Sequence, residues 1–296
     1  MFLSEFFAIS AAACVALSAI LIGELKGRVP LLVLTRWQMF AGFAITGAAS
    51  LFTGGWRAIE PWQFGALALS GLFAIIIASS AYFAAIYIAG ARMTSLLYSL
   101  TAPFAVLFGY LGLGETITGQ QGIGIGLVVA GVALAICGPK EDNGPAAASK
   151  IGRFAGLGIA LGLITAIGQA IGILAARPAM AAGAEPFTAM AIRAGVAALF
   201  YLALSLLPVA TVKSTAHFTL RTRLIAFAAA FFGTGVGMSL LMAALAHGNV
   251  GIVATLSSLT PVLILPMVWM RTGNAPTLSA WAGAALAVAG IALISL

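Results

Sequence analysis

The chain has 296 residues, 62% of them hydrophobic and 7% charged, with a mean hydropathy of +1.13. A soluble domain carries roughly 25% charged residues, so this composition excludes a soluble fold and leaves lipid and neighbouring helices as the surroundings of most side chains. The formal net charge is +7, but the basic residues sit in short links between apolar stretches, with no basic run interleaved with aromatics; they set membrane topology, and nucleic acid is ruled out as a partner.

Ten apolar spans succeed one another at 6–23, 32–53, 63–89, 94–113, 121–138, 152–176, 187–208, 224–246, 250–270 and 277–296. Each approaches the ~20 residues that a helix needs to cross a hydrocarbon core of about 30 Å. The first span is not a secretory leader: it lacks a basic n-region, Glu5 stands where one would be, and the apolar stretch runs on too long. Gly27 and Pro30 close it off. The second span carries Arg36 and Gln38 and ends at Gly54 and Gly55. The third holds Ser79, Ser80, Tyr82 and Tyr87, and its boundary with the fourth rests only on Gly90 and Arg92.

The fourth span brings Tyr98, Ser99 and Thr101, then Pro103, which removes the backbone bond to the Ser99 carbonyl. The fifth contains Gly122 and Gly126, and Cys137 near its end. Like Cys14 in the first span, Cys137 has no partner at metal-binding or redox spacing and reads as a small buried hydrophobe. Residues 139–153 form the most polar and proline-containing link. The sixth span contributes Gln169 and glycine pairs at 158/162 and 168/172, the seventh Arg193, the eighth Ser239 and the pair Gly233/Gly237. The eighth ends at His247, Gly248 and Asn249, where His247 reads as a helix cap rather than a metal ligand. The ninth carries Ser257, Ser258 and Thr260 ahead of Pro261, which frees the Ser257 carbonyl.

The polar link divides the chain into 1–138 and 154–296, with five spans in each part. Shifted by 159 residues, Ser99-Leu100-Thr101 falls on Ser258-Leu259-Thr260, Gly124 on Gly283, and Val129-Ala130-Gly131 on Val288-Ala289-Gly290. With a shift of 157, Arg36 falls on Arg193. An odd number of spans per unit turns the second copy upside down. The expected fold is therefore an all-α integral membrane protein with ten transmembrane helices in two inverted five-helix repeats, a plan common among secondary transporters.

Several features could carry function in that plan. Helix breaks at Pro103 and Pro261, in corresponding places of the two halves, point to a midplane site, although a kink satisfied by its own serine has the same sequence. Arg36 and Arg193 are the charges well inside spans. They either recognise an anionic group such as a carboxylate or act as fixed cations bonded to helix ends, and their matching positions favour the scaffold. The candidate substrate-binding set is Arg36, Gln38, Ser79, Ser80, Tyr82, Tyr98, Ser99, Gln169, Arg193, Ser239, Ser257 and Ser258, any of which can instead form an interhelix bond. All seven acidic residues lie at span ends or in links. That argues against a proton-coupled exporter of cationic drugs and favours a facilitator or exchanger. The glycine pairs permit close helix contact, first of all within the fold. No nucleophile–base pair, phosphate loop or metal cluster is present in the sequence, so an enzyme, a metal site and a cofactor are not expected.

The repeat and its residues resemble the EamA type of the drug/metabolite transporter superfamily. The resemblance rests on Ala84-Ala85, Ser99-Leu100-Thr101-Ala-Pro103 and Leu113-Gly114-Glu115 in the first half. In the second it rests on His247-Gly248-Asn249-Val250, Ser258-Leu259-Thr260-Pro261-Val262 and Ala289-Gly290. Arg36 and Arg193 match the family's arginine in the second helix of each repeat. Two departures stand out: the first helix lacks the usual Trp-Gly, and Asn274 replaces the acidic residue that Glu115 supplies in the first half.

The resemblance implies a central cavity lined by the first four helices of each half, with the fifth and tenth packed outside. It implies a secondary transporter of small polar metabolites, working by alternating access in a bacterial cytoplasmic membrane as a monomer or homodimer. The His-Gly-Asn-Val stretch is similar to bacterial aromatic amino-acid exporters, which makes amino acids or related compounds the leading substrate class. An organic anion or a nucleoside-like metabolite is the alternative, and a membrane-embedded enzyme or receptor the alternative of another class. The resemblance puts both termini in the cytoplasm. Loop charge argues the reverse, with ten basic residues in the links at 24–31, 90–93, 139–153, 209–223 and 271–276 against Arg57 and Arg177 on the other side. A reporter fused after Leu296 decides between them: a cytoplasmic signal overturns the charge reading.

Overall fold

The computed structural model describes residues 2–113, 118–137, 144–206, 218–247, 253, 256–257, 259–273 and 275–295. They are all-helical, with no strand among them. In chain order the helices are α1 (Phe2–Leu25), α2 (Leu31–Thr53), α3 (Pro61–Ser70), a π-helical segment π1 (Gly71–Ser79), α4 (Ser80–Tyr98), α5 (Thr101–Leu113) and α6 (Gly119–Cys137). Then come α7 (Gly144–Ala181), α8 (Pro186–Leu206), α9 (Leu220–Ala230), a second π segment π2 (Phe231–Gly237), α10 (Met238–His247), α11 (Thr260–Thr272) and α12 (Leu278–Ser295).

Six helices are long and apolar enough to cross a membrane: Leu3–Leu25, Leu31–Thr53, Pro61–Tyr98, Gly156–Ala181, Pro186–Leu206 and Leu220–Ala246. Four shorter apolar helices accompany them, at Thr101–Leu111, Gly119–Leu134, Thr260–Arg271 and Leu278–Leu293. Large apolar side chains such as Phe52, Leu111, Leu199, Leu224 and Met270 point outward, as a lipid-facing surface requires. The chain is a multi-pass membrane protein.

The weak boundary expected at 90–93 is a kink within one helical run: Gly90 has φ 84 and ψ 162, which only glycine adopts without strain, and helix resumes behind it. The prolines lie where the expected breaks are, but in the first turn of the helix after each break rather than in a helix interior. Helical continuity lapses at Ser99 and Leu100 before α5, and α11 begins at Thr260 with Pro261 in its first turn. A proline costs little there, because its missing N–H would have had no intrahelical partner. At each break a threonine hydroxyl caps a carbonyl, that of Ser257 as expected at the second and that of Tyr98 rather than Ser99 at the first. The Thr101 hydroxyl donates to the Tyr98 carbonyl at 2.7 Å, and the Thr260 hydroxyl to the Ser257 carbonyl at 3.0 Å.

Close packing runs through small residues. The Cβ that Gly131 lacks would stand 2.5 Å from the Gly283 carbonyl oxygen and 2.7 Å from the Ala287 nitrogen. The one that Gly290 lacks would stand at the same two distances from the Gly124 carbonyl oxygen and the Val128 nitrogen. α6 and α12 therefore meet backbone to backbone. The glycines at 158, 162, 168, 172, 233 and 237 are all packed inside the fold, as expected. Gly122 and Gly126 are the exception: nothing lies within 4 Å of either, because they face away from α12.

A candidate substrate cavity between the two halves

Glycines place the two π segments. Gly71 lets π1 rest on the α8 backbone, where a Cβ would come within 2.8 Å of the Arg193 carbonyl oxygen. Gly168 and Gly172 let α7 close on π1 from the other side, with Gly168 against the Phe73 carbonyl at 2.9 Å. In π2, Gly233 and Gly237 admit Ser18 and Cys14 of α1. A π turn inserts an extra residue and rotates the helix beyond it, a device frequent at functional sites. Here it directs Ala78 and Ser79 of π1, and Gly233 and Thr234 of π2, into the same space.

That space is a cavity with about 480 Å³ of empty volume, its open mouth included. Val15 and Ser18 of α1, Tyr82, Phe83 and Tyr98 of α4, Thr165 and Gln169 of α7, and Met238 of α10 complete the lining. Among the described residues, no charged side chain lines it. Its hydroxyls are mostly committed as donors to backbone: Ser18 to the Ala229 carbonyl at 2.8 Å, Ser79 to Ala74 at 3.0 Å, and Thr165 to Leu161 at 2.8 Å. They present oxygen lone pairs inward. The Tyr82 hydroxyl is buried and has no hydrogen-bond partner, and the buried Gln169 amide faces Tyr98 without a bond of good geometry at Nε2. Such an orphan costs about 1–3 kcal/mol, so its persistence calls for a ligand or water. Tyr82 and Tyr98 meet edge to face, their ring centres 5.8 Å apart, so one wall is aromatic.

The expected site residues divide accordingly. Ser79, Tyr82, Tyr98 and Gln169 come together in the cavity. Ser80 instead bonds the Ile76 carbonyl and, at 2.5 Å, the Tyr201 hydroxyl. Gln38 donates to the Ala226 carbonyl at 3.0 Å and ties α2 to α9. Ser99 and Ser239 turn their hydroxyls onto their own helices, at the Leu96 and Gly235 carbonyls, each at 2.6 Å. Ser257 is half-buried just ahead of α11, and Ser258 lies outside the described residues.

The arginines part company. Arg36 is half-buried beside a small separate cavity formed with Leu32, Tyr201 and Leu204. Arg193 is fully buried, with Nη1 on the thioether sulfurs of Met242 at 3.2 Å and Met190 at 3.9 Å. Val15, Ser18, Phe83, Thr165, Thr234 and Met238 are lining residues that sequence reasoning missed. A lone hydroxyl in an apolar helix carries no signal of its own, but the run Gly233-Thr234-Gly235-Val236-Gly237 could have marked Thr234 as a place of close approach. Among the described residues, no group of three or more His, Cys, Asp or Glu could hold a metal.

Comparison with known proteins places the chain. No curated protein matches it. A crystal structure described only as that of a protein is similar in fold, with a TM-score of 0.68 at 21% identity over 98% of this chain and 94% of that one. The model of the EamA-like transporter family matches residues 2–137 and 156–296. With both stretches matched, the chain belongs to the EamA-like transporter family.

Proposed function

We propose that the protein is a secondary transporter that carries small polar, neutral or zwitterionic metabolites, amino acids and their relatives foremost, by alternating access across a bacterial cytoplasmic membrane. The observation that carries this reading is the orphaned Tyr82 hydroxyl, with the Gln169 amide beside Tyr98, in an uncharged, aromatic-walled cavity. α1, π1 and α4 supply that cavity from one half of the sequence, and α7, π2 and α10 from the other. An orphaned donor in such a place gains a full hydrogen bond when a solute enters. The proposed frame is ten helices in two inverted repeats. Its support is the reciprocal contact of Gly131 and Gly290 and the position of π1 and π2, whose bounds correspond at close to the sequence offset of 159 residues.

The experiment is flux in proteoliposomes against a panel of amino acids, nucleosides and organic acids, with the Tyr82→Phe variant alongside. Saturable flux of a panel member, weakened by Tyr82→Phe, supports the reading. Absence of flux for every compound refutes it. The facing rings of Tyr82 and Tyr98 favour a second reading, a nucleoside-like metabolite whose base stacks on the aromatic wall. Flux confined to nucleosides would select it.

A further inference from the structure

The Arg193 guanidinium is the most costly unexplained feature of the fold. Its side chain is 0% exposed, and Nε and Nη2 have no hydrogen-bond partner. Nη1 meets only thioether sulfurs, and these are weak acceptors. Among the described residues no carboxylate forms an ion pair with it, and the ionisable group that interacts with it electrostatically is Tyr98. A buried cation without a counter-charge is strongly disfavoured, all the more inside a membrane protein, where charges mark ligand pathways by default. A structural cation would satisfy a helix end or a carbonyl, and Arg193 satisfies neither with those two nitrogens.

Its surroundings supply a route to a ligand. Met242, which touches the guanidinium, lies one helical turn beyond Met238, which lines the cavity, and Tyr98 both lines the cavity and interacts electrostatically with Arg193. It is also the last residue of α4, at the break formed by Ser99 and Leu100. Met190 and Met242, the other contacts, have flexible side chains that re-pack readily. A re-packing of Met242 toward the break would bring Arg193 to the cavity.

We propose that Arg193 is a carboxylate-recognition residue of the transport site, sealed behind its methionine contacts in this state. A substrate with both a carboxylate and a neutral polar group would bridge Arg193 and the Tyr82–Gln169 pair. This rests on the transporter reading above and narrows its substrate class to carboxylate-bearing metabolites. The guanidinium fork suits that group, because two parallel N–H donors match its two oxygens.

The test compares matched probes: the proteinogenic amino acids, their carboxamides, and nucleosides, scored by ligand-induced thermal stabilisation of the purified full chain. Wild type should bind at least one amino acid at least tenfold more tightly than its carboxamide. Arg193→Met should fold with an unfolding midpoint no lower than wild type, since an apolar side chain replaces an orphaned charge, and should lose that acid-over-amide preference. Arg193→Lys should keep part of it. Should Arg193→Met fail to fold, Arg193→Gln and the wild-type acid-to-amide ratio still decide.

Equal binding of acids and amides by wild type, an unchanged preference in a folded Arg193 variant, or binding of nucleosides alone overturns the proposal. Failure of the transporter reading is a different result: ligands that stabilise the protein but show no flux in proteoliposomes.

Discussion

Gly131 and Gly290 stand 159 residues apart in the sequence and make the same contact with each other's helices. Each rests on a backbone carbonyl and amide of the opposite helix, with 2.5 and 2.7 Å between its missing Cβ and those atoms. Backbone cannot yield as a flexible side chain does. Gly131→Leu or Gly290→Leu should therefore separate α6 from α12 and cost about 1–3 kcal/mol. Gly126→Ala, with nothing within 4 Å, should be neutral or stabilise by up to about 1 kcal/mol through helix propensity. Thermal unfolding in detergent measures both.

The cavity should respond in the opposite sense to a loss of polarity. Tyr82→Phe removes a buried hydroxyl that has no partner, so the unfolding midpoint should hold or rise. Substrate affinity should fall about three- to tenfold, the worth of one neutral hydrogen bond. A ligand titration on the unfolding midpoint reads affinity and stability together; a lower midpoint for ligand-free Tyr82→Phe would contradict the account of an orphaned group.

The two helix breaks share a device. Thr101 caps the Tyr98 carbonyl and Thr260 caps the Ser257 carbonyl. Thr101→Val and Thr260→Val keep the shape and remove the bond. Each should cost about 1 kcal/mol, and the double variant should cost the sum, since the two breaks share no partner. Thr101→Val should also disturb the cavity, because Tyr98 lines it. Thermal unfolding of the single and double variants checks the sum.

Arg271 and Glu24 join the ends of α11 and α1 at 2.5 Å, with side chains 49% and 15% exposed. Arg271 is half exposed, but Glu24 Oε1 is itself buried, so Arg271→Gln should leave that oxygen without its counter-charge and cost about 1–3 kcal/mol. A loss below about 0.5 kcal/mol, as for a surface pair, would show that water reaches the Glu24 carboxylate.

Much of the fold is legible from the chain. Each expected span from 6–23 to 277–296 overlaps a described helix, because apolar length and Gly/Pro punctuation are local properties. The site was legible in part. Tyr82 and Gln169 stand out as polar groups in mid-span, but so do Gln38, Ser80 and Ser239, whose partners turned out to be carbonyls and Tyr201. Nothing in their sequence neighbourhoods separates the two kinds, since a hydroxyl bonded to its own helix and one facing a cavity differ only in rotation about the helix axis.

The sequence by itself determined a membrane protein of apolar helices, an internal offset of 159 residues and breaks ahead of Pro103 and Pro261, because composition, period and backbone chemistry are written in order along the chain. Only the tertiary structure decided which polar groups face one another. The π segments at 71–79 and 231–237 add residues within continuous apolar stretches, where hydropathy gives no sign of them, and so rotate Ser79 and Thr234 toward a common space. Arg36 and Arg193 make the point most plainly. They occupy matching places in the sequence, yet one is half-buried beside a small cavity and the other is sealed among methionines, because the neighbours that decide a side chain's surroundings come from distant helices.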